Sequence, residues 1–448
     1  MTSFNVRGAV FWGLDYFSGS PFRRHLNNIR LISQNENLIP EHQARQLQLL
    51  LCHAVQTTDF YNNRSVNEAI TGFPIINKNI IRESFAQFQS SVFKNKKLKV
   101  MQTSGSTGTP FQVVQNSSKR QRALAELIEF NSLVGYRVGT RHALFRTLFR
   151  TIDPRLHKNS VKRFMQNEIE FDVRIQDQAS FEQQRQTLLK DKHIEILTGY
   201  SSVIYNLARY IISQRDTPTA FGVKGVLCFA EPLFPKMRDT IQNVFNCPVL
   251  SRYSNQECGV LAYECPTCNR FHLNTASYFF EILELDRDKQ TTPGTSGRIV
   301  VTDLYNYAMP MIRYDTGDIG SMGRSNCSQF ATPILQSLEG RKLDCVYDTA
   351  GRRLAPFVVD ETFEAINISG DFIKQFQFIQ EGKTRYRIRL CVEGTFSQEL
   401  SLIEQLKKTL GDDARIEVEY TEEIPVLNSG KRQYIVSHYK PTENDAKI

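Results

Sequence analysis

Apolar positions recur at helical spacing near the start of the chain. Between residues 42 and 61, Leu47, Leu50, Leu51 and Ala54 fall on one side of a predicted helix that ends at the polar segment FYNNR. The first 70 residues are therefore expected to be helical.

Short apolar runs alternate with helical patterns further along the chain. The run VLCFA at residues 226–230 predicts a buried strand, and a helix opened by Pro235 follows up to residue 245. Residues 247–253 predict the next strand. This alternation of strands and helices predicts an α/β layer.

The pattern changes after Gly340, where strands of alternating polarity are predicted at residues 386–392 and 415–420. Between them lies a helix with Ser397 as its expected N-cap and Gly411 as its stop. One face of this helix is predicted to carry four apolar residues, Leu400, Ile403, Leu406 and Leu410. We therefore expect a large domain at 1–339 and a small α+β domain at 340–448.

Composition places the chain among ordinary globular proteins. Its 448 residues exceed the size of one ordinary core, and 41% apolar with 23% charged residues argues against disorder. No run approaches the roughly 20 apolar residues of a membrane-spanning helix. The start carries no signal-peptide cleavage site, and nine cysteines fit a reducing compartment, so a cytoplasmic protein is expected.

The net charge of +8 raises the question of nucleic-acid binding. The basic run KNKKLK at residues 94–99 is its best local support, but no nucleic-acid motif accompanies it, and such runs are usually solvated surface. A mild positive charge also suits an enzyme of phosphorylated substrates. We therefore predict no nucleic-acid partner.

A hydroxyl-rich loop, TSGSTGTP at residues 103–110, carries the most chemical information. Gly105 and Gly108 allow the backbone to approach an anion, and the remaining donors are the hydroxyls of Thr103, Ser104, Ser106, Thr107 and Thr109. It is not a GxxxxGK[ST] loop, because it has no lysine. Predicted strands on both sides, LKVMQ and FQVVQ, would hold the loop still, so a phosphate cradle is a reasonable interpretation.

Seven short strings occur in an order that resembles the adenylate-forming superfamily of acyl-CoA synthetases and adenylation domains. The closer likeness is to its phenylacetate-CoA ligase branch, and within it to capsule-biosynthesis and coenzyme F390 synthetase-like proteins. The strings are FWGLDYF at 11–17, GYSS at 199–202, AEPL at 230–233, YSNQE at 253–257, RYDTGD at 313–318, GRKLD at 340–344 and SGK at 429–431. The resemblance implies a large α/β domain with parallel or mixed sheets and a small mobile C-terminal domain.

The resemblance also implies roles for individual residues. The loop Thr103, Ser104, Gly105, Ser106, Thr107 and Gly108 would bind phosphates, and Ala230, Glu231, Pro232 and Tyr253 would lie beside adenine. Glu257 is expected to bind Mg²⁺, a role that suits a carboxylate near phosphates. Asp318 would grip the ribose hydroxyls, Arg341 would be a second nucleotide contact, and Asp344 would be the hinge.

Lys431, after the turn at Gly430, is expected to stabilise the charge that develops at the α-phosphate. Two positions depart from the superfamily pattern. Many members have a lysine where this chain has Phe111, although the phenylacetate-ligase branch tends to lack it. Asn255 and Gln256 replace smaller, hydroxylated residues, which bears on the acyl pocket.

A C-x2-C-x3-H spacing follows the YSNQE string. Cys265, Cys268 and His272 are ligands that suit tetrahedral zinc. The resemblance implies Cys327 as the fourth ligand, with Cys258 as the alternative. A site with four protein ligands would be structural.

These observations predict an ATP- and Mg²⁺-dependent ligase that forms an acyl-adenylate from a carboxylic acid. The acceptor is left open among coenzyme A, a carrier-protein thiol and an amine or hydroxyl on a sugar. Two alternatives stay open: a nucleotidyltransferase that leaves AMP on its substrate, and a degenerate nucleotide-binding partner of a biosynthetic complex. The oligomeric state, a homodimer included, is also open.

Overall fold

The computed structural model describes residues 5–103, 111–146, 166–174, 176–341, 346–354, 362, 373–392, 394, 396–425 and 434–439.

Helices occupy the start of the chain and alternate with strands in its middle. Their bounds are α1 (Val6–Phe17), α2 (Pro21–Gln34), α3 (Ile39–Thr57), α4 (Lys78–Glu83), α5 (Ser117–Asn131), α6 (Gln178–Lys190), α7 (Ser201–Ser213), α8 (Pro235–Phe245) and α9 (Glu399–Leu410). The expected helical start is confirmed. Helix α8 begins at its proline as predicted and ends at Phe245, and its C-cap Asn246 adopts a left-handed conformation (φ +48°).

The strands of the first half are β1 (Lys99–Thr103), β2 (Phe111–Gln115), β3 (His142–Arg146), β4 (Glu168–Asp172), β5 (Ile196–Tyr200), β6 (Gly225–Phe229), β7 (Val249–Asn255), β8 (Gly259–Glu264) and β9 (Phe271–Leu273). Those of the second half are β10 (Tyr278–Leu283), β11 (Gly297–Asp303), β12 (Tyr314–Gly323), β13 (Ile334–Arg341), β14 (Val346–Tyr347), β15 (Arg353–Leu354), β16 (Ile373–Gln380), β17 (Arg385–Val392), β18 (Arg415–Tyr420) and β19 (Ile435–Ser437).

One eleven-stranded sheet dominates the described residues, in the order β10-β11-β12-β13-β9-β8-β7-β6-β5-β3-β4. Strands β4, β3, β5, β6 and β7 run parallel to their neighbours, and from β7 to β10 the pairing is antiparallel. All five residues of β5 are buried, as expected of a parallel strand that helices cover on both faces. The predicted α/β class with parallel or mixed sheets is confirmed.

The residues after β13 contain a second, smaller sheet in the order β18-β17-β16-β19, with α9 between β17 and β18. Predicted strand 415–420 coincides with β18, and Gly411 ends α9 with φ +114°. The small α+β architecture is thus observed, whereas the division at residue 340 remains a prediction.

Two details of α9 differ from the prediction. The N-cap is Gln398 rather than Ser397, and it makes no side-chain capping bond. Leu400 is 77% exposed, because the face that packs on the sheet is formed by Leu402, Leu406 and Leu410.

No helix among the described residues is both long enough and apolar enough to cross a membrane.

Candidate functional site

Three adjacent parallel strands bring the predicted motifs to one edge of the large sheet. Strands β5, β6 and β7 end at Tyr200, Phe229 and Asn255, and GYSS, AEPL and YSNQE lie at these ends. Ligands of open α/β sheets usually bind outside the carboxyl ends of their strands. This edge of the sheet is therefore the candidate ligand-binding region.

The AEPL segment has an unusual backbone and a defined partner. Ala230 has φ +67°, a left-handed conformation that is costly for a residue with a Cβ and is often found at functional sites. The Glu231 carboxylate accepts a hydrogen bond from the backbone N–H of Ser202 at 3.0 Å, at the start of α7, where a negative charge is favourable. The Ser201 hydroxyl donates to the Glu231 carbonyl at 3.2 Å. AEPL and GYSS are thus held together.

Tyr253 and Asp318 are in direct contact, although 65 residues separate them in sequence. The Tyr253 hydroxyl donates to the Asp318 carboxylate at 2.6 Å, and it lies 3.4 Å from the Thr316 hydroxyl. Burial raises the pKa of Tyr253 well above its ordinary value, and the Asp318 charge raises it further, so the phenol remains a donor. Two predicted nucleotide contacts therefore meet on β7 and β12.

Asp318 also stands opposite Arg341, since these residues are register partners in the antiparallel pair of β12 and β13. Directly opposed residues on such strands are near neighbours on the sheet. The backbone thus brings together two residues predicted to contact one nucleotide. The Arg341 side chain lies outside the described residues.

The Glu257 carboxylate is buried, with 2% of the residue exposed, and it has two partners. The Tyr314 hydroxyl donates to Oε1 at 2.6 Å, and the Lys78 ammonium lies 3.1 Å from the same oxygen. Burial raises the pKa of Tyr314, and the neighbouring carboxylate adds to this, so that phenol also stays protonated. A carboxylate in this position already holds a cation.

Lys78 is a residue that the sequence interpretation missed. It opens α4, where the Asn77 side chain caps the helix by accepting from the N–H groups of Asn79 and Ile80. Its ammonium lies 5.7 Å from the centre of the Phe111 ring, within cation–π range. A cation thus lies over the residue that stands where many superfamily members have a lysine.

The backbone around Glu257 is held by buried side chains. The Gln115 amide donates to the Glu257 carbonyl at 3.2 Å, and the Tyr278 hydroxyl donates to the Cys258 carbonyl at 2.7 Å. Lys119 donates to the Tyr278 hydroxyl at 2.9 Å and pairs with Asp303 at 2.7 Å, with both charged side chains fully buried. No local motif marks these residues as parts of one network.

The hydroxyl-rich loop connects an antiparallel hairpin, because Thr103 pairs with Phe111 at the ends of β1 and β2. The predicted strands on both sides of the loop are confirmed. The loop residues Ser104, Gly105, Ser106, Thr107 and Gly108, the Thr103 side chain, the hinge Asp344 and Lys431 lie outside the described residues.

Four predicted metal ligands converge on one point. The ligand atoms of Cys265, Cys268, His272 and Cys327 all lie within 4.8 Å of one another. Cys265 Sγ and Cys327 Sγ are 3.6 Å apart, and Cys268 Sγ is 3.4 Å from His272 Nε2. A tetrahedral zinc with bonds of about 2.3 Å to sulfur requires ligand separations of about 3.8 Å, so the set fits such an ion.

The surroundings of this cluster orient its ligands. His272 Nδ1 lies 3.2 Å from the Thr332 carbonyl, so a proton on Nδ1 leaves the Nε2 lone pair facing the thiols. Backbone N–H groups of Thr267 and Gln329 point at the sulfurs of Cys265 and Cys327, each at 3.4 Å. Cys258, the alternative fourth ligand, is buried in the core and is not among the ligand atoms of this cluster in the described residues.

Comparisons with known proteins agree with the observed fold and with the resemblance found in the sequence. Residues 346–438 match the family model of the CapK C-terminal domain. The chain is 25% identical over 382 residues to protein CapK of Staphylococcus aureus. The aligned region covers 83% of this chain and 81% of that protein.

Solved structures match over most of the chain. One is 2-hydroxyisobutyryl-CoA ligase in the postadenylation state, in complex with 2-HIB-AMP. It has a TM-score of 0.70 at 16% identity, and the match covers 90% of this chain and 89% of the ligase chain. The same ligase with 2-HIB-AMP and CoA in the thioesterification state has a TM-score of 0.58 at 17% identity, with coverage of 89% and 90%. ATP-bound MatB from Rhodopseudomonas palustris has a TM-score of 0.52 at 17% identity, with coverage of 75% and 66%.

At these identities the solved structures establish the fold, and the CapK matches show a sequence similarity to that protein. The resemblance of this chain to the adenylate-forming superfamily, and within it to the capsule-biosynthesis proteins, is confirmed.

Proposed function

We propose that the protein is an ATP-dependent carboxylate ligase that forms an acyl-adenylate and releases pyrophosphate. The observation that carries this proposal is a juxtaposition at the carboxyl ends of the parallel strands. There the Tyr253–Asp318 pair and the buried Glu257 with its cation lie beside the β1–β2 hairpin. Groups suited to ribose and metal thus lie at one edge, near the strands that flank the hydroxyl-rich loop in sequence.

ATP would span this edge. Asp318 accepts the ribose hydroxyls, a task for which an acceptor-only carboxylate is suited, and Arg341 is a second contact. Adenine lies between Tyr253 and the AEPL segment. The phosphates lie in the loop of Thr103, Ser104, Gly105, Ser106, Thr107 and Gly108.

Glu257 is the proposed Mg²⁺ ligand. Its carboxylate holds the Lys78 ammonium at 3.1 Å, and this contact with a cation supports the assignment. When bound, Mg²⁺ would neutralise charge on the phosphates and on the departing pyrophosphate. Tyr314, which donates to the same carboxylate, fixes the direction in which Glu257 points.

Lys78 would turn from Glu257 to the phosphates when the metal and nucleotide bind. Its side chain is 37% exposed, so it has room to move, and it lies over Phe111, the first residue of β2 in the β1–β2 hairpin. It thereby supplies, from α4, a positive charge that the loop sequence SGSTGTP at 104–110 lacks.

In the reaction, a carboxylate oxygen of the acid attacks the α-phosphorus and pyrophosphate leaves with the electrons of the broken bond. Lys431 stabilises the charge on the α-phosphate. The C-terminal domain then turns about Asp344, which withdraws Lys431 and admits an acceptor. A thiol, amine or hydroxyl attacks the acyl carbon, and AMP leaves.

The cysteine–histidine cluster is proposed to hold structural zinc. Four protein ligands leave no coordination position for a substrate. The zinc ion would therefore cross-link the turn between β8 and β9 to the segment that contains Cys327.

The proposal is tested by ATP–pyrophosphate exchange measured with a panel of carboxylic acids. We expect exchange with one class of acid only, and a large loss in Glu257→Gln, while the surface variant Glu284→Gln stays active. Exchange that requires no acid would contradict the proposal. A stable AMP adduct of the substrate, with no thioester, ester or amide, would identify a nucleotidyltransferase instead.

A further inference from the structure

Helix α1 (Val6–Phe17) carries apolar residues on its solvent-facing side as well as on the side that packs against the protein. Its solvent-facing side carries Val6, Val10, Leu14, Tyr16 and Phe17, whose exposed fractions are 55%, 42%, 58%, 66% and 87%. A surface helix normally turns such residues toward the core. We call these five residues the α1 stripe.

The side of α1 that faces the protein is closely packed: the rings of Phe11 and Trp12 pack against an apolar cluster, with Gly8 and Asp15 buried beside them. Asp15 is 2% exposed, and its carboxylate accepts from the N–H groups of Phe22 and Arg23 at the start of α2. Gly8 lies so close to the chain that a Cβ there would meet the Val138 carbonyl at 2.9 Å. These contacts fix the rotation of α1, so the α1 stripe cannot simply turn inward.

The charges beside the α1 stripe are positive. Residues 6–24 contain three arginines, Arg7, Arg23 and Arg24, and one carboxylate, the buried Asp15. The Arg23 guanidinium lies 5.4 Å from the Trp12 ring centre, and neither Arg23 nor Arg24 forms an ion pair among the described residues. An anionic surface would complement this edge.

We propose that α1 is a membrane-surface helix whose apolar stripe inserts among the acyl chains of an anionic bilayer. Apolar side chains along one face, aromatic residues beside them and flanking arginines are the combination that such interfacial helices use. A helix of 12 residues is about 18 Å long, too short to span a bilayer but long enough to lie in its surface. The five residues of the α1 stripe are also far fewer than the roughly 20–30 residues that each partner contributes to a stable protein interface.

The test is co-sedimentation of the full chain with vesicles of phosphatidylglycerol and phosphatidylcholine, and with vesicles of phosphatidylcholine alone. We expect binding to the anionic vesicles that weakens with salt. The double variant Leu14→Ser/Phe17→Ser should lose at least roughly 100-fold in partition coefficient, because two large apolar side chains no longer insert. Arg23→Gln/Arg24→Gln should lose roughly 30-fold.

Matched controls lie elsewhere on the surface. Ile212→Ser/Leu400→Ser removes two apolar side chains that are 54% and 77% exposed, and Lys224→Gln/Lys289→Gln removes two exposed charges. Both should bind vesicles like the unmodified chain.

Three results would overturn the proposal. The chain could stay in the supernatant with both kinds of vesicle, or its binding could be the same in Leu14→Ser/Phe17→Ser. A concentration-dependent dimer in sedimentation velocity, lost in that variant, would show that a second copy covers the α1 stripe.

Discussion

Replacing Lys78 by methionine removes the cation from the candidate site while it keeps most of the side-chain volume. At 3.1 Å and an effective dielectric of 20, the attraction between Lys78 and Glu257 is about 5 kcal/mol before desolvation. Lys78 is 37% exposed, so solvent screening and the loss of hydration reduce the net stabilisation to about 1–2 kcal/mol. Urea unfolding without ligands should detect a loss of this size.

The effect on catalysis should be separate and larger. A charge-assisted contact to phosphate contributes about 1.5–3 kcal/mol, so kcat/KM for ATP should fall roughly 10- to 100-fold in Lys78→Met. Lys78→Arg keeps the charge and should recover part of the loss. The matched control is Lys96→Met, because Lys96 also lies over an aromatic ring, that of Phe93 at 4.7 Å, but on the exposed basic run.

Free Mg²⁺ offers a second readout, because the ammonium and the metal would compete for Glu257 if that carboxylate is the proposed Mg²⁺ ligand. Without nucleotide, Mg²⁺ should stabilise Lys78→Met more than the unmodified chain. An unchanged KM for ATP together with an unchanged response to Mg²⁺ would refute the role given to Lys78.

Three further predictions concern other parts of the protein. Purified protein should contain one zinc per chain, and Cys327→Ser should weaken zinc binding at least roughly tenfold in chelator competition, whereas Cys52→Ser outside the cluster should not. Tyr253→Phe removes the hydrogen bond to Asp318 and should raise KM for ATP about tenfold; an unchanged KM would place the nucleotide elsewhere. Burial and neighbouring cations lower the pKa of His25 from 6.5 to about 4, so the unfolded chain takes up a proton first as the pH falls. The free energy of unfolding should therefore fall between those two pH values, and less so in His25→Gln, as urea titrations would show.

Much of the fold could be predicted because local signals agree with it. Helix α8 has a proline at its start, and β18 alternates in polarity, so both were predicted at their observed bounds. The buried face of α9 was predicted incorrectly. The sequence allows either Leu400 or Leu402 to face the core, and only the position of the neighbouring sheet decides between them.

The candidate site also contains residues that the sequence predicts and residues that it does not. Tyr253, Glu257 and Asp318 belong to recognisable strings, and the structure brings Tyr253 and Asp318 into contact. Lys78 belongs to no string, and its place beside Glu257 depends on a contact across 179 positions of the chain, as 257 − 78 shows. The C-x2-C-x3-H spacing likewise indicates three ligands, while Cys327 is close to them only because β9 pairs with β13.

The most direct test of acyl-adenylate formation follows the oxygen atoms of the acid. An accepted acid, identified by pyrophosphate exchange and labelled with heavy oxygen in its carboxyl group, is incubated with ATP, Mg²⁺ and the acceptor, and the AMP is analysed by mass spectrometry. Attack on the α-phosphorus followed by acyl transfer leaves one acid oxygen on AMP, so labelled AMP should form with the unmodified chain and almost none with Lys431→Ala. Unlabelled AMP, or an equal yield of labelled AMP from Lys431→Ala, would contradict the account.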